Sequence, residues 1–173
     1  QGWKDSADSI RFTDGSQAEG PIVLIEVQGY AYAAARAAAR ILAAHGRDEA
    51  ERASAATWNR YADDMSARIR ERFWVSDADG PYLALALDAH KNQVTGVASN
   101  MGHLLGTGVL TPDEEALVVQ RLLSPEMFSG YGIRTMSTGN AAYWPWRYHV
   151  GSVWTHDTAW IIRGMHQAGF VNE

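Results

Sequence analysis

Apolar residues dominate the first long helical pattern of the chain. Residues 21–46 read PIVLIEVQGYAYAAARAAARILAAHG and contain only three acidic or basic side chains other than histidine. Proline is favoured in the first turn of a helix and glycine just past its end, so we predict a helix from Pro21 to Gly46. A helix that is apolar on nearly every side is buried on most of its surface.

The second stretch, residues 48–73, is amphipathic. Asp48 and Glu51 have the spacing of a capping box, with the aspartate in the capping position. Apolar residues then recur every three or four positions while charged residues fill the opposite face, which is typical of a helix with one face in water. The predicted apolar face consists of Ala50, Ala53, Trp58, Tyr61, Met65, Ile69 and Phe73.

Three shorter segments continue this alternation of buried and half-exposed helices. Residues 99–108 form a short apolar helix that glycines end. A capping threonine, a proline and a glutamate begin the next helix at Thr111, and it runs to Leu123. Residues 156–169 are apolar again and stop at a glycine. Between these helices, residues 82–88 (YLALALD) leave a short strand and an extended loop as alternatives, and residues 124–153 are predicted as a long loop.

The five helices alternate in a way that predicts an all-α fold of inner and outer helical hairpins, a partial (α/α)6 toroid with long aromatic loops. Five helices are too few to close such a ring. An open ring exposes apolar surface that calls for a covering partner. We therefore expect residues 1–173 to be part of one (α/α)6 domain truncated at both ends. The missing remainder of the domain, or a second copy of the chain, would cover the open side.

Composition narrows the classes of partner. The net charge of −5 and the pI near 5.6 argue against a nucleic-acid partner, which needs a basic surface. The chain has no cysteine, hence no disulfide framework and no thiolate metal site, and its six histidines lack ligand spacing. We expect no metal and no cofactor. No signal peptide or membrane span is recognisable, so the expected location is the cytoplasm.

The aromatic segment 143–157, YWPWRYHVGSVWTHD, combines indole and phenol rings with charged side chains. Sugars suit such a surface, because their CH faces stack on rings while their hydroxyls need donors and acceptors. A buried structural loop is the alternative interpretation. Near the start of the first helix, Glu26, Gln28 and Tyr30 either point into the ring or satisfy the ends of their own helix.

Two carboxylates follow a tryptophan at the start of the chain, in the stretch Trp3, Asp5 and Asp8. A carboxylic acid beside an aromatic ring loses hydration, and its pKa rises so that it can donate a proton. A loop with a capping aspartate is the alternative.

Together these motifs resemble the catalytic domain of the amylo-α-1,6-glucosidase (glycogen-debranching-type) glycoside hydrolases, in the glucoamylase-like (α/α)6 group. The matching blocks follow the order of that family and span nearly the whole chain. They are GWKDSADSI (2–10), EGPI (19–22), EVQGYAYAA (26–34), SNMGHLL (99–105), FSGYGIRT (128–135) and YHVGSVWTHD (148–157).

The resemblance implies a hydrolase of carbohydrate metabolism that cleaves an α-glucosidic bond with inversion. Asp5 matches the general acid, and a second carboxylate, at roughly 6.5–9.5 Å, would activate water. In the family this base lies well downstream of the last block, so we expect this fragment to lack it and to be inactive alone. The implied substrate-binding residues are Trp3, Asp8, Glu26, Gln28, Tyr30, Asn100, His103, Arg134, His149, Trp154 and Asp157.

Departures from the family pattern leave the substrate open. Gly106 stands where the family tends to place a tryptophan, and it could enlarge a sugar subsite. Some relatives cleave small glycosides such as glucosylglycerate, so the substrate could be a polysaccharide, an oligosaccharide or a small glycoside. Two other functions stay open: a carbohydrate-binding helical module without catalysis, and another toroid enzyme such as a lyase or an epimerase.

Overall fold

The computed structural model describes residues 2–172, so that Gln1 and Glu173 lie outside the described residues. Within this range the chain is mostly helical. The helices are α1 (Ile25–His45), α2 (Glu49–Phe73), a 3₁₀ helix (Ser99–Leu104), α3 (Pro112–Leu122) and α4 (Thr155–Gln167). The strands are β1 (Val23–Leu24), β2 (Trp74–Asp77), β3 (Gly80–Leu83), β4 (Ala86–Leu87) and β5 (Gln93–Val94). The predicted set of five helices is confirmed.

Helix α1 begins later than the sequence predicts. Residues Val23 and Leu24 form β1, which pairs antiparallel with β4, so the backbone stays extended until Ile25. Pro21 therefore precedes the helix instead of standing in its first turn. The helix ends where the sequence predicts, at Gly46, whose amide donates to the Leu42 carbonyl at 2.9 Å.

The burial of α1 also differs from the prediction. Its buried residues lie along one face, whereas Val27 is 38% and Ile41 62% exposed. The other described helices and strands pack against this face only. The opposite face of α1 therefore leaves apolar side chains exposed. The buried residues are Ile25, Glu26, Gly29, Tyr32, Ala35 and Ala39.

Helix α2 packs against α1 through smaller residues than the sequence predicts. Ala55 and Ala62 are buried together with Ile69 and Phe73, and small side chains allow the alanine-rich α1 to approach closely. The predicted anchors Trp58 and Tyr61 are instead 43% and 47% exposed and contact each other edge to face. The Asp48 cap is confirmed, since its carboxylate accepts the Glu51 amide at 2.8 Å.

Residues 82–88 contain strands, which decides between the two alternatives. β1, β4 and β5 form one antiparallel sheet, and β2 pairs with β3 in a hairpin. Every residue from Tyr82 to Leu87 is buried. Both faces of the segment are thus covered, which explains why its apolar and polar positions do not alternate clearly.

The 3₁₀ helix is completely buried and connects the inner helices. It contacts α1, α3 and α4. Glycine permits two of these contacts, because a Cβ atom on Gly102 would lie 2.8 Å from Ile161 and one on Gly29 would lie 3.0 Å from Leu104. The amino-terminal ends of α1 and α4 therefore meet at this helix.

Among the described helices, none has the length and apolar character needed to cross a membrane.

The start of α3 provides a test of helix capping. The Thr111 hydroxyl accepts the Glu114 amide at 3.3 Å, and the Glu114 carboxylate accepts the Thr111 amide at 2.7 Å. We predict that Thr111→Ala lowers the free energy of unfolding by about 1 kcal/mol, because one helix-end amide loses its acceptor. Urea unfolding followed by circular dichroism measures this. Thr57→Ala, at an exposed position inside α2, is the matched control and should cause no loss; equal losses in both variants would contradict the prediction.

Candidate active site

Trp3 lies where the N-terminal segment, the 3₁₀ helix and the aromatic loop meet. Its indole stacks on His103 with ring centroids 5.8 Å apart and an interplanar angle of 10°. It also meets His149 and His156 edge to face, at 5.1 and 5.4 Å. The indole thus forms the centre of a cluster of histidines from the 3₁₀ helix and the aromatic segment.

Lys4 is buried directly beside this cluster. Its ammonium donates to the Thr135 carbonyl at 2.6 Å and is only 2% exposed. Burial lowers the pKa of Lys4 to about 8, while the negative charges of Asp157 and Glu26 oppose this shift. The lysine therefore still carries most of its charge at neutral pH.

Glu26 lies at the start of α1, fully buried under the N-terminal segment. A Cβ atom on Gly2 would lie 1.9 Å from the Glu26 carboxylate, so glycine is required for this approach. Burial raises the pKa of Glu26. The Asn100 amide is the strongest opposing influence, although within the described residues neither side chain forms a hydrogen bond of good geometry. Glu26 and Asn100 thus form a buried polar layer below the surface.

A hydrogen-bonded chain links three elements next to Trp3. The Asp157 carboxylate of α4 contacts His103 Nε2 at 2.7 Å, and both side chains are almost completely buried. The other ring nitrogen of His103, Nδ1, contacts the hydroxyl of Tyr30 on α1. Tyr30 itself is half-buried, so the chain runs from the interior to the surface.

Asp5 lies at the surface above this buried layer. Its side chain is 69% exposed, and its carboxylate is 3.7 Å from His149 Nδ1. The expectation that an indole shields Asp5 is not met in this chain, because the Trp3 ring packs inward on histidines. The same His149 nitrogen is 3.0 Å from the Ser6 hydroxyl. Burial and the nearby charge of Lys4 lower the pKa of His149, so its ring is uncharged at neutral pH.

The aromatic segment borders Asp5 on the exposed side. Trp144, Trp146 and Tyr148 are more than half exposed, which argues against a purely structural, buried loop. The Trp154 indole donates to the Tyr148 carbonyl at 2.7 Å and so holds the turn together. Nearby, the Arg147 guanidinium pairs with Asp8 at 3.1 Å.

The structure brings ten of the twelve predicted site residues together; Gln28 lies apart, and Arg134 adjoins the site next to Thr135, whose carbonyl accepts from Lys4. Gln28 donates to the Leu24 carbonyl and lines a separate groove of about 580 Å³ beside α2. The Arg134 backbone pairs with Val153, and one of its guanidinium nitrogens is buried without a partner among the described residues. Gly106 does not enlarge a subsite, because a Cβ there would meet Gln167 at 2.7 Å, near the far end of α4.

Sequence reasoning missed four residues of the site. Lys4, Ser6 and His156 belong to matching motifs that gave them no role, and Trp160 was not singled out. His156 contacts Trp3 and Trp154 edge to face, and Trp160 stacks on His103 at 6.3 Å. Their helix positions were a usable signal for the latter two, since α4 begins at the site. No feature of the sequence indicates that Lys4 is buried. No group of three or more potential metal ligands comes together within residues 2–172.

Lys4 makes a testable contribution to stability. Its pKa is about 8 in the folded protein and near 10.5 as the ordinary value, so the unfolded chain binds more protons between these pH values and stability rises with pH across them. We compare the free energy of unfolding of the wild type with that of Lys4→Met. We predict that this difference shifts in favour of the wild type by on the order of 2 kcal/mol between about pH 7 and about pH 10. Urea unfolding at a series of pH values measures the difference.

Lys91→Met, which removes an exposed lysine, is the matched control and should follow the wild-type pH dependence. Parallel curves for the wild type and Lys4→Met would show that Lys4 keeps an ordinary pKa.

Comparison with solved structures shows the fold. Neutral trehalase Nth1 from Saccharomyces cerevisiae superposes with a TM-score of 0.71 over 86% of this chain, at 13% identity. A protein titled sialidase superposes with a TM-score of 0.70 over 91% of the chain, at 12% identity. The chain spans only 28% and 14% of those two proteins. The predicted partial (α/α)6 architecture is thereby confirmed.

Comparison of sequences shows the family. No curated protein matches the chain significantly. A family model described as the mannosylglycerate hydrolase MGH1-like glycoside hydrolase domain matches residues 8–173. The match supports a glycoside hydrolase but not specifically an amylo-α-1,6-glucosidase, and it begins three residues after Asp5. The chain therefore belongs to the MGH1-like glycoside hydrolase domain family.

Proposed function

We propose that this chain supplies the proton-donating side of an inverting glycosidase site that cleaves an α-glucosidic bond, with Asp5 as the general acid. The observation that carries the proposal is the position of Asp5. Its carboxylate is accessible from solvent, yet it lies 3.7 Å from a ring of the buried histidine cluster, in a chain of a glycoside hydrolase family. A proton donor needs both access to the substrate and a rigid structural support.

The charges around Asp5 are compatible with proton donation. Burial and Lys4 lower the pKa of His149, which leaves an uncharged ring as the closest partner of Asp5. The neighbouring guanidinium of Arg147 is engaged with Asp8. In the proposed reaction Asp5 protonates the glycosidic oxygen while the C–O bond breaks, and water attacks the anomeric carbon from the opposite face.

The general base is proposed to come from outside these 173 residues. Inversion requires a second carboxylate that reaches a water molecule on the far side of the sugar. Of the carboxylates near Asp5, Glu26 and Asp157 are fully buried and Asp8 pairs with Arg147. We propose that the rest of the catalytic domain completes the site. It also stays a prediction that this sequence, or a second copy of the chain, covers the open side. The cytoplasmic location stays a prediction too.

The residues predicted to bind substrate divide into two groups by exposure. Trp3, Asp8, Tyr30 and Trp154 are partly exposed and are proposed to contact the sugar. The others near Asp5 are buried, and we propose that they hold the first group in place without touching substrate. This buried group consists of Glu26, Asn100, His103, His149 and Asp157.

The family description favours a small glycoside of glycerate as the substrate, over the branch points of glycogen. A panel containing methyl α-glucoside, an α-1,6-linked oligosaccharide, glucosylglycerate and mannosylglycerate distinguishes them by relative kcat/KM.

The acid role of Asp5 predicts a dependence on the leaving group. In the intact protein that contains this chain, Asp5→Asn should lower kcat on an aryl α-glucoside of high leaving-group pKa by about 10²- to 10⁴-fold, because protonation is lost. Hydrolysis of α-glucosyl fluoride should be affected far less, because fluoride leaves without a proton. Proton NMR of the first-formed sugar should show the β-anomer.

Asp14→Asn, at an exposed turn, is the matched control and should keep wild-type activity. Equal losses of Asp5→Asn on both substrates would contradict the acid role. Sugar binding without turnover in the intact wild type would instead favour the binding module.

A further inference from the structure

The chain of contacts from Asp157 through His103 to Tyr30 has a defined direction. Asp157 is 0% and His103 4% exposed, and their 2.7 Å contact joins α4 to the 3₁₀ helix. Tyr30 continues it from α1 and is half-buried. Its ring edge contacts Trp160, which is 46% exposed, and its partner His103 stacks on Trp3, two positions before Asp5.

The contacts fix where the protons lie. The Asp157 carboxylate lies 2.7 Å from His103 Nε2. Carboxylate oxygens accept hydrogen bonds, so we place the proton of this contact on His103 Nε2. In the neutral imidazole Nδ1 is then an acceptor, and the Tyr30 hydroxyl must donate to it. Burial raises the pKa of Tyr30, so the hydroxyl keeps its proton.

Packing prevents the imidazole from turning away from this arrangement. The His103 ring lies between two indoles, Trp3 at 5.8 Å and Trp160 at 6.3 Å, with interplanar angles of 10° and 29°. Both ring nitrogens are held by partners at fixed positions on α1 and α4. Tyr30 is therefore presented to the open side with its proton directed inward.

We infer that Tyr30 determines specificity as an acceptor-only contact: its oxygen binds a sugar hydroxyl that donates, because its own proton is held by His103. This inference rests on the proposed function, since it concerns the same sugar site. It adds that His103 and Asp157 are positioning residues, which set the direction of the Tyr30 hydroxyl and do not touch the sugar.

Fluorinated sugars test the direction of this hydrogen bond. Fluorine can accept a weak hydrogen bond but cannot donate one, whereas hydrogen does neither. The probes are methyl α-D-glucopyranoside and methyl α-D-mannopyranoside, each with its monodeoxy and monodeoxyfluoro analogues at every ring hydroxyl. Ligand-observed NMR titrations give Kd for the intact wild-type protein and for Tyr30→Phe, a variant that keeps the contact with Trp160.

The comparison of the two proteins identifies the hydroxyl that Tyr30 binds. At one position, deoxygenation should weaken wild-type binding by about 2- to 12-fold and should change Tyr30→Phe binding little. At that position the deoxyfluoro analogue should bind the wild type as weakly as the deoxy analogue. In His103→Phe, whose folding is checked by thermal melting, the tyrosine is free to donate and the fluoro analogue should regain affinity over the deoxy one.

The titrations either support the inference or overturn it. Wild-type affinity for the fluoro analogue equal to that of the parent sugar would overturn the inference, because Tyr30 would then donate outward. Unchanged binding of every analogue in Tyr30→Phe would overturn it as well, while the acid role of Asp5 would stand. Failure of both parent sugars to bind would overturn the proposed function together with this inference. If His103→Phe does not fold, the wild-type and Tyr30→Phe titrations alone decide.

Discussion

The buried ammonium of Lys4 is the constraint on which the geometry of the site depends. It donates to the backbone carbonyl of Thr135 and interacts with the carboxylates of Glu26 and Asp157 on two inner helices. A buried charge is strongly unfavourable unless opposite charges and hydrogen bonds compensate it. The first residues of the chain, α1 and α4 therefore meet at one buried charged cluster. This arrangement places Trp3, the residue before Lys4, on the histidines and Asp5, the residue after it, at the surface.

The site consequently has two layers with different chemistry. Below lies a polar layer of carboxylates, an amide and imidazoles that is excluded from water, and above lie exposed aromatic rings beside Asp5. Rigid support with an accessible surface is what a preorganised catalytic group requires. Apolar residues of α1, Val27 and Ile41, are exposed as well.

Local signals were sufficient for most helices but not for their contacts. The caps at Asp48 and Thr111 and the stop at Gly46 were recognisable, because capping depends on residues a few positions apart. The start of α1 was not, since β1 exists only through pairing with β4, about 60 residues later in the sequence. In α2 the hydrophobic pattern favoured Trp58 and Tyr61, whereas the close approach of α1 selected the alanines.

For the site itself, the sequence alone determined which residue types are available and, through the resemblance, that the chain is part of a glycoside hydrolase domain. It also determined the order of the helices, because periodicity and capping are local properties. Only the tertiary structure decided that Gln28 faces a separate groove, that five predicted substrate contacts are buried, and that Lys4 interacts with two of them, Glu26 and Asp157. Burial and the direction of hydrogen bonds arise when distant segments exclude water together, and no spacing within one segment encodes that.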